Sequence, residues 1–518
     1  MNTACFLSIP AMMFPEKETL VFKETRLTYS ELLNRVNRLT NALRSLGLGR
    51  HSRVGILETN SNEYVEAYYA TSKLEGIFVP LNYRVTYDEL KHMIDVAGLD
   101  AIVVGDRYIN LVRSLMTHFP SMMHRIALRK EQEDFLFFDD LIGAASNDSD
   151  EEDADEDQTN TLMFTSGTTS MPKAVMLSYG NFVKYVFETT EPPGEVDAGS
   201  TLLCAPLYHI AGLTAIMTSV YGGRRLVLMS QFDAKEWLHL VQKESITNAF
   251  LVPTMLKKLL DEPDLANTDL SNLQVLSYGA APMPLAVIRR AIDVLPKHIS
   301  FINAFGQTET TATVTMLLPE DHRLEGPTEE IDKKLKRLTS IGRPLPGVQV
   351  KITHGKGREL PSGEVGEIMI RTSRLMKGYE RQDPQQEQPI VDGWLSTSDI
   401  GWADEDGYVF LAGRKDDLII RGGENIAPAE IESVLEAHPA VEEACVIGYP
   451  DEEWGETVMA ALVLKDGLTA KEGEIIDFCR KRLASFKTPK RIEFVESLPR
   501  NALGKVLRKI LKAEYVRG

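Results

Sequence analysis

The sequence has little cysteine, no excess of basic residues and no long apolar run. Its four cysteines, Cys5, Cys204, Cys445 and Cys479, lie far apart without a CxxC pair, which favours reduced thiols. The net charge of −18 argues against a broad nucleic-acid or anionic-membrane surface. No apolar run approaches the ~20 residues that a membrane-spanning helix needs. We therefore expect a cytoplasmic protein with neither a nucleic-acid partner nor a membrane span.

The two ends of the chain carry no targeting pattern. The apolar start, Met1 to Phe14, lacks a basic n-region and is interrupted by Pro10, so we expect an ordinary N-terminal segment and not a signal peptide. The last residues, 515–518, do not form a peroxisomal tripeptide. Both observations agree with the cytoplasmic expectation.

Much of the negative charge is concentrated in one short stretch. Eight of the ten residues from 148 to 157 are acidic, namely Asp148, Asp150, Glu151, Glu152, Asp153, Asp155, Glu156 and Asp157. A metal-binding role is conceivable for such a run, but a solvated linker is the favoured interpretation.

The length of the chain predicts two or more domains. In the first part, predicted strands alternate with predicted helices: helices 28–46, 63–74 and 87–96, and strands 54–57, 76–81 and 101–104. This alternation predicts a wound, largely parallel α/β sheet with ligands at the carboxyl ends of its strands. From Gly342 onward, short strands separated by Gly and Pro predict a β-rich subdomain. About a hundred residues after a boundary near 413–416 predict a small α+β domain.

A polar loop after a short apolar strand is the central feature of the sequence. Strand 161–164 leads into Thr165, Ser166, Gly167, Thr168, Thr169 and Ser170, and Lys173 closes the loop before a second apolar stretch, 174–177. Closely spaced backbone N–H groups, hydroxyls and one ammonium suit a polyphosphate. The loop is not a Walker loop, because Pro172 stands where that motif needs glycine. A polar surface turn is the alternative interpretation.

Three later strands are predicted to end in small, aromatic and polar residues. They lead into Leu207-Tyr-His209, Tyr278-Gly279-Ala280-Ala281-Pro282 and Asn303-Ala-Phe305-Gly-Gln-Thr308-Glu309. The carboxyl ends of parallel strands meet at one edge of a sheet, so we expect these groups to share one crevice. The small residues 279–281 would let a flat ligand lie against the backbone.

Eight collinear motifs, spread from about residue 160 to 505, carry a resemblance to a known family. They are Phe164-Thr-Ser-Gly-Thr-Thr-Ser-Met-Pro-Lys173, Ala205-Pro-Leu-Tyr-His209, Phe305-Gly-Gln-Thr-Glu309, Gly366-Glu-Ile368, Gly393-Trp-Leu-Ser-Thr-Ser-Asp399, Gly413-Arg-Lys-Asp-Asp417, Gly422-Gly-Glu-Asn-Ile-Ala-Pro-Ala-Glu-Ile-Glu432 and Pro499-Arg-Asn-Ala-Leu-Gly-Lys505. The chain resembles the acyl-adenylate-forming superfamily, and most of all its acyl-CoA synthetase branch. The resemblance covers about residue 20 to the end.

The resemblance implies a reaction in two steps. A carboxylate and ATP give acyl-AMP and pyrophosphate, and the thiol of coenzyme A then displaces AMP. Attack at the α-phosphate brings two anions together, so cationic and N–H groups should dominate catalysis. By resemblance, Lys173 and the loop hydroxyls hold the β- and γ-phosphates, Thr308 contacts the α-phosphate, and Lys505 bridges the acyl carboxylate and that phosphate. Glu309 is implied as the Mg²⁺ ligand, which fits the preference of hard cations for carboxylate oxygen.

The remaining implied contacts concern the nucleoside and coenzyme A. Adenine is expected between residues 279–281 and the ring of Phe305, with Asn303 on the same strand as a nucleotide contact. Asp399 is expected to accept the ribose hydroxyls with Arg414 nearby. The Gly422-Gly423 loop is expected to line the channel for the CoA thiol. His209 would stand beside the acyl pocket, although a packed structural histidine is the simpler interpretation.

The family pattern also implies a mobile arrangement of domains. We expect an adenylation domain at 1–413, a hinge at 414–417 with Asp416 at its centre, and a C-terminal lid at 418–518 that rotates between the two steps. A single lid cannot both close over adenylation and admit pantetheine. Lys487, Lys490 and Arg491 could meet CoA phosphates, although a solvated basic face is at least as well supported. A homodimer is one open option.

Three positions depart from the family pattern. Ser170, Ala174 and Ser398 stand where the family usually has glycine. Ser170 adds a Cβ within the phosphate loop, which restricts its conformations but adds a donor. Ser398 lies beside the expected ribose contact. These changes bear on turnover and loop mobility, not on the type of reaction.

The sequence leaves the acid and the acceptor undetermined. Residues 210–213 with Ala281 and Met283 favour an apolar acid, which could be fatty, alicyclic or aromatic. An enzyme that serves a carrier protein would share the first step, but the aspartate that begins its amino-acid clamp is absent from the Tyr208-His209 region, and no carrier domain is expected. A luciferase-like oxygenase and a non-catalytic nucleotide-binding regulator are further alternatives.

Overall fold

The structure is a computed structural model. It describes residues 1–119, 122, 124–149, 153–165, 171–194, 196–354, 357–381, 388–422, 424–500 and 506–516. Several residues of the predicted site lie outside these ranges, namely Ser166, Gly167, Thr168, Thr169, Ser170, Gly423 and Lys505.

The described chain contains helices and strands in an order that alternates over its first part. The helices are α1 (Cys5–Met13), α2 (Tyr29–Ser45), α3 (Asn62–Lys73), α4 (Tyr87–Ala97), α5 (Ile109–Leu115), α6 (Phe138–Ala144), α7 (Tyr179–Thr189), α8 (Ile210–Tyr221), α9 (Ala234–Lys243), α10 (Pro253–Asp261), α11 (Leu285–Val294), α12 (Pro319–His322), α13 (Thr328–Arg337), α14 (Pro428–Glu436), α15 (Glu472–Arg480) and α16 (Arg508–Val516). The strands are β1 (Glu18–Phe22), β2 (Thr25–Thr28), β3 (Arg53–Leu57), β4 (Ile77–Pro80), β5 (Ala101–Val104), β6 (His124–Ala127), β7 (Leu136–Phe137), β8 (Thr159–Thr165), β9 (Lys173–Ser178), β10 (Ser200–Leu203), β11 (Arg225–Leu228), β12 (Asn248–Leu251), β13 (Val275–Gly279), β14 (Ser300–Gln307), β15 (Ala312–Leu317), β16 (Arg343–Pro344), β17 (Gln349–His354), β18 (Arg358–Glu359), β19 (Gly366–Arg371), β20 (Gly378–Tyr379), β21 (Ile390–Val391), β22 (Trp394–Ala403), β23 (Val409–Arg414), β24 (Ile419–Arg421), β25 (Glu424–Ile426), β26 (Val441–Asp451), β27 (Gly455–Leu464) and β28 (Arg491–Phe494).

The chain divides into two compact units. The first consists of residues Met1–Lys334 and Thr372–Gln388, and the second of Leu335–Arg371 and Pro389–Gly518. The chain therefore enters the second unit, returns to the first for one short segment, and then completes the second. The predicted division into 1–413, 414–417 and 418–518 stays a prediction, and its proposed hinge lies within the second unit.

The first unit contains two wound sheets. In one, the strand order β14-β13-β12-β10-β11-β1 is parallel throughout, with antiparallel β15 and β2 beside its two ends. In the other, β8, β4, β3, β5, β6 and β7 are parallel. Helices connect most of these parallel strands, as a parallel pair requires a crossover connection. The predicted wound α/β architecture is confirmed.

Local sequence signals account for the ends of several helices. Helix α2 begins at the predicted capping box, in which the Thr28 side chain accepts from the Glu31 N–H and the Glu31 carboxylate accepts from the Thr28 N–H. Helix α4 has the same arrangement at Thr86 and Glu89. It ends at Gly98, whose φ of 58° is left-handed and favours glycine. These caps fix the entry of each helix onto its sheet.

The strand after the predicted phosphate loop, β9, does not follow the parallel pattern. Strands β8 and β9 pair antiparallel, with Thr165 opposite Lys173. The loop between them therefore joins the two arms of a hairpin. The antiparallel direction of β9 cannot be predicted from the sequence, because a short run of buried apolar residues has the same pattern in a parallel and in an antiparallel strand.

The second unit is dominated by antiparallel strands. One sheet has the order β18-β17-β19-β22-β21, with β23 on β22, and confirms the predicted β-rich subdomain. The other has the order β25-β24-β27-β26, with parallel β28 on β27. Helices α14 and α15 bury Ile431, Leu435, Ile475 and Cys479 in a common core with this sheet. The last part of the chain is thus the predicted α+β domain.

Across the described ranges, no helix is both long enough and apolar enough to traverse a lipid bilayer.

Candidate functional site

The ends of β13 and β14 carry Gly279 and Phe305, which are predicted to contact the adenine ring. The register pairs Tyr278 with Asn303 and Gly279 with Ala304, so Gly279 and Phe305 lie at neighbouring strand ends. A Cβ on Gly279 would overlap the carbonyl oxygen of Ala304, which explains why glycine stands there. Ala280 has a left-handed φ of 64°, so the chain turns sharply where β13 ends. The structure thus brings Gly279 and Phe305 to neighbouring strand ends, and the contact of residues 279–281 and Phe305 with adenine stays a prediction.

A buried histidine supports the end of β13. The Tyr278 hydroxyl lies 2.9 Å from His322 Nε2, and His322 Nδ1 lies 2.8 Å from the Leu318 carbonyl oxygen. Burial lowers the pKa of His322 to about 4, so the ring is neutral at pH 7. A neutral ring that donates from Nδ1 to the carbonyl accepts at Nε2 from the tyrosine hydroxyl. This pair fixes the strand immediately before Gly279.

Thr308 and Glu309 lie on a tight turn between β14 and β15. The turn, Thr308–Thr310, is one 3-10 turn in which the Gln307 N–H donates to Thr310 Oγ1 at 3.0 Å. Thr311 and Ala312 follow with left-handed φ values of 51° and 70°. Non-glycine residues adopt such angles only where the surrounding structure holds them. The turn therefore presents Thr308 and Glu309 at a fixed position beyond the end of β14.

Lys173 and Glu309 are linked through an aromatic residue that the sequence did not reveal. The Tyr379 hydroxyl donates to Glu309 Oε1 at 3.0 Å. The Lys173 Nζ atom lies 5.2 Å from the centroid of the same ring, within the range of a cation–π contact. Tyr379 lies on β20, which pairs with β9 beside Lys173. The predicted phosphate-binding lysine and the predicted metal ligand therefore belong to one side-chain cluster.

His209 caps a helix. It precedes α8, and its Nδ1 accepts from the Ala211 N–H at 3.3 Å. Burial lowers the pKa of His209 to about 4, and a helix N-terminus also disfavours a positive charge. The ring is therefore neutral at pH 7, with the proton assigned to Nε2 because Nδ1 accepts. This geometry gives His209 a structural task, and its predicted place beside the acyl pocket stays a prediction.

In the second unit, Asp399 and Arg414 are direct neighbours. They face each other across the β22–β23 ladder, and Arg414 Nε lies 2.9 Å from Asp399 Oδ1. Asp399 is buried, and its N–H donates to Thr397 Oγ1 at 3.0 Å. Ser398, which lies between Thr397 and Asp399 in the sequence, has a left-handed φ of 58°. The departure from glycine noted in the sequence therefore falls on a backbone conformation that favours glycine.

Gly422 also needs to be glycine. Its φ is 60°, and a Cβ there would approach the Trp454 ring to 2.7 Å. Its N–H donates to the Trp454 carbonyl oxygen at 2.9 Å. The predicted thiol-channel loop thus begins at a constrained backbone position, and its second glycine, Gly423, lies outside the described residues.

The cations suggested for CoA phosphates are each engaged by a carboxylate of the second unit. Lys487 lies 2.6 Å from Glu430, Lys490 lies 3.2 Å from Asp451, and Arg491 lies 2.6 Å from Glu493. These pairs are at the surface, where such contacts are weak and exchange easily. The alternative of a solvated basic face agrees with this arrangement.

A half-buried ion cluster anchors the stems of the predicted lysine loop. Arg508 at the start of α16 binds both carboxylate oxygens of Glu432 at 2.6 Å, and it lies 3.4 Å from Asp417. On the other stem, Arg500 pairs with Glu443 at 2.8 Å and forms a β-bridge with Val506. Residues 501–505, with Lys505, lie outside the described residues. The sequence pattern gave no sign of this cluster, because its members are far apart in the chain.

The residues around Glu309 suit a magnesium ion held together with phosphate. Within the described part of the chain, no group of three or more His, Cys, Asp or Glu side chains could hold a metal by itself. Mg²⁺ is commonly bound by one or two carboxylates, with substrate phosphates and water completing its octahedron. One half-buried carboxylate, linked through Tyr379 to Lys173, the predicted phosphate-binding lysine, fits that requirement.

Comparisons with known proteins identify the family. Residues 9–380 match the AMP-binding enzyme family, and residues 430–505 match the AMP-binding enzyme C-terminal domain. The chain is 34% identical over 512 residues to the fatty acid–[acyl-carrier-protein] ligase ScoC of Streptomyces coeruleorubidus, covering 98% of this chain and 95% of that protein. It is 33% identical over 504 residues to a feruloyl-CoA synthase of Amycolatopsis sp., covering 96% of each.

A solved structure agrees with both matches. The o-succinylbenzoate CoA synthetase MenE of Bacillus subtilis, in complex with the acyl-adenylate intermediate OSB-AMP, superposes with a TM-score of 0.84 at 31% identity. The superposition covers 99% of this chain and 98% of that one. The chain therefore belongs to the AMP-binding enzyme family of acyl-adenylate-forming enzymes, in the branch of the carboxylic acid–CoA ligases. The expected family and enzyme class are confirmed.

Proposed function

We propose that the protein activates an apolar carboxylic acid as its acyl-AMP and transfers the acyl group to coenzyme A. The observation that carries this proposal is the shared edge of β13 and β14, where Gly279, Phe305 and Glu309 lie on consecutive strand ends and turns. A flat base can lie against Gly279 and Phe305 while the triphosphate extends toward Glu309. That order, with a site for the base followed by a carboxylate for the cation, supports the proposed binding of ATP.

The proposed first step is attack of the carboxylate on the α-phosphate. Lys173 and the loop that it closes hold the β- and γ-phosphates, and Thr308 donates to the α-phosphate. Lys505 bridges the incoming carboxylate and the α-phosphate, and it offsets the repulsion between two anions. Asp399, held by Arg414 at 2.9 Å, accepts the ribose hydroxyls. None of these residues has to transfer a proton, so positioning and charge carry the step.

Glu309 is the residue that would hold Mg²⁺, jointly with phosphate oxygens. The ion would neutralise charge on the β- and γ-phosphates when bound.

The proposed second step is attack of the CoA thiol on the acyl-AMP, which releases AMP. The Gly422-Gly423 segment lines the thiol channel. His209 stays neutral at pH 7 and holds the start of α8 beside the acyl group.

The acid is proposed to be apolar because α8 begins with Ile210, Ala211, Gly212 and Leu213. Its ring or chain character stays open between the fatty acid of ScoC and the feruloyl group of the Amycolatopsis synthase. All four cysteines carry thiols and not disulfides, which supports the proposed cytoplasmic location. Homodimerisation stays a prediction.

A carrier protein is a second candidate acceptor. The likeness to ScoC over nearly the whole chain favours it, although ScoC shares only 34% of its residues with this chain. The first step would be unchanged, and only the source of the phosphopantetheine thiol would differ.

The proposed reaction is tested with a panel of fatty, alicyclic and aromatic acids and Mg·ATP. Acid-dependent exchange of pyrophosphate into ATP measures the first step, and AMP release on addition of CoA measures the second. A CoA-dependent burst of AMP with at least one acid is expected. AMP release that requires a phosphopantetheinylated carrier protein and not CoA would favour the second candidate. The absence of exchange with every acid would contradict the proposal.

A further inference from the structure

The segment that links Lys173 to Glu309 is the part of the chain that returns to the first unit. The chain leaves the second unit after Arg371 and re-enters it at Pro389. Within this excursion, β20 pairs antiparallel with β9, with Tyr379 opposite Val175. The Lys377 N–H donates to the Met176 carbonyl at 2.9 Å, and the Glu380 N–H donates to the Ala174 carbonyl at 2.8 Å. Four consecutive residues are thus fixed against the strand that starts with Lys173.

The same segment is fixed to the turn that carries Glu309. The Met376 N–H donates to the Glu309 carbonyl oxygen at 2.9 Å, and Thr311 Oγ1 donates to the Arg374 carbonyl oxygen at 2.7 Å. The excursion therefore joins a strand, β9, to the turn at Thr308–Thr310, more than a hundred residues away in sequence. Tyr379 is the residue whose side chain reaches both.

Two side-chain contacts of Tyr379, to Glu309 and to Lys173, are chemically different. Its hydroxyl donates to one carboxylate oxygen of Glu309, Oε1, at 3.0 Å. Its ring face lies under the ammonium of Lys173, with 5.2 Å between Nζ and the centroid. Across the described residues, Lys173 and Glu309 form no ion pair within 4.0 Å. Tyr379 thus gives each of two opposite charges a partner of its own, and the two charges are not paired with each other.

This separation matters because both charged groups have other partners in the proposed reaction. An ammonium paired with Glu309 would be lost to the phosphates, and a carboxylate paired with Lys173 would be lost to the cation. The hydrogen bond from the hydroxyl is made to Oε1, so it holds the carboxylate by one of its two oxygens. The site can then bind nucleotide without first breaking an internal ion pair.

We propose that Tyr379 is a positioning residue that orients Glu309 for the divalent cation and keeps Lys173 from pairing with it. The proposal rests on the proposed function of the same site. Tyr379 touches no reacting atom, so its effect must appear in binding and not only in turnover.

Two substitutions distinguish the contact with Glu309 from the contact with Lys173. Tyr379→Phe removes the hydroxyl and keeps the ring, so it should weaken cation binding and leave Lys173 in place. Tyr379→Leu removes both and should allow Lys173 and Glu309 to pair. The double variant Tyr379→Leu/Glu309→Gln removes the competing carboxylate charge. Tyr87→Phe, on the exposed start of α4, is the matched control.

Two measurements are made. The first is the binding of Mn²⁺ in the presence of α,β-methylene ATP, followed by electron paramagnetic resonance. The second is the binding of the same nucleotide without metal, in EDTA. For Tyr379→Phe we expect at least about tenfold weaker Mn²⁺ binding, the lower end of the effect of one hydrogen bond to a charged group, with metal-free binding unchanged. For Tyr379→Leu we expect metal-free binding to weaken as well, and Tyr379→Leu/Glu309→Gln should restore that part. Tyr87→Phe should behave as the wild type.

The outcomes separate this proposal from the one on which it rests. A wild-type protein that binds Mn²⁺ with the nucleotide, together with an unchanged Tyr379→Phe, would overturn the role of Tyr379 and leave the proposed function standing. Equal weakening of both measurements in Tyr379→Phe would show a general structural defect and would also overturn it. A wild-type protein without nucleotide-dependent Mn²⁺ binding would overturn both proposals.

Discussion

The ion cluster around Arg508 gives a prediction whose magnitude follows from its geometry. Arg508 binds both oxygens of Glu432 at 2.6 Å, and the side chains are only 21% and 14% exposed. Burial opposes the charge of Arg508, but Glu432 and Asp417 outweigh it and raise the pKa of Arg508. Arg508→Met keeps much of the side-chain volume and leaves the Glu432 carboxylate without its cation.

Removing one partner of a buried pair costs ~3–5 kcal/mol, because the other charge stays buried and unpaired. We expect a value near the low end, about 3 kcal/mol, because Glu432 also accepts from the Val446 N–H and keeps some access to water. For a unit of this size, that loss lowers the unfolding temperature by about 6–12 °C. Differential scanning calorimetry resolves such a shift if the second unit unfolds as a separate transition.

A surface pair provides the matched control. Arg480 and Asp477 lie 2.8 Å apart on α15, but each is 65% exposed. Arg480→Met should therefore cost less than about 1 kcal/mol. In a double-mutant cycle, Glu432→Met should recover part of the loss caused by Arg508→Met, because no unpaired charge remains. Equal shifts for Arg508→Met and Arg480→Met would refute the reasoning, as would simple addition in the cycle.

Four further outcomes are expected. Burial, and then the charge of Glu432, raises the pKa of Glu436 from the usual 4.5 to about 7. The protonated form therefore stabilises the fold below pH 4.5, and this contribution is lost between pH 4.5 and 7. Glu436→Gln should increase the free energy of unfolding in urea by up to about 3 kcal/mol at pH 8 and have little effect at pH 4. Ser398→Gly should raise stability by about 0.5–1 kcal/mol in the same assay, because φ is 58° there, and an unchanged or lower value would contradict the strain. Lys505→Ala should abolish acid-dependent pyrophosphate–ATP exchange while calorimetric ATP binding persists, and retained exchange would refute its role. Asp416→Pro should spare exchange and impair thioester formation, whereas equal loss of both would count against a hinge at this residue.

Most of the architecture follows from local sequence signals. The capping box at Thr28 and Glu31, and the alternation of short apolar runs with amphipathic helices, were sufficient to predict the wound sheets. Those signals depend on residues three or four apart, or on single apolar runs, so they survive without tertiary information. The antiparallel β8–β9 hairpin was not predicted, because strand direction depends on partners elsewhere in the chain.

The residues of the candidate site were predicted only where they lie in or beside a recognisable sequence motif. Gly279, Phe305 and Glu309 lie near predicted strand ends, and Asp399 and Arg414 lie in motifs; the roles of all five were implied by the family resemblance. The structure places Gly279 and Phe305 on neighbouring strands, and it pairs Asp399 with Arg414. Tyr379 was missed because β20 is two residues long and carries no periodicity. Arg508 was missed because a basic residue near a chain end resembles solvated surface until Glu432 is seen beside it. Contacts of this kind are long-range, and a single sequence does not encode them locally.

The spacing around Tyr379 explains why the ring should matter more than the hydroxyl for nucleotide binding. Two opposite unit charges 4 Å apart near a protein surface attract each other by roughly 4 kcal/mol before the cost of removing both from water is subtracted, and the net gain is smaller. A phosphate would have to compete with that attraction if Lys173 and Glu309 could meet. The cation–π contact at 5.2 Å is weaker, of the order of 0.5–1 kcal/mol, so a triphosphate can displace it readily. The ring thus replaces a strong internal partner of the ammonium by a weak one, and the ammonium stays available for the anion that arrives with the substrate.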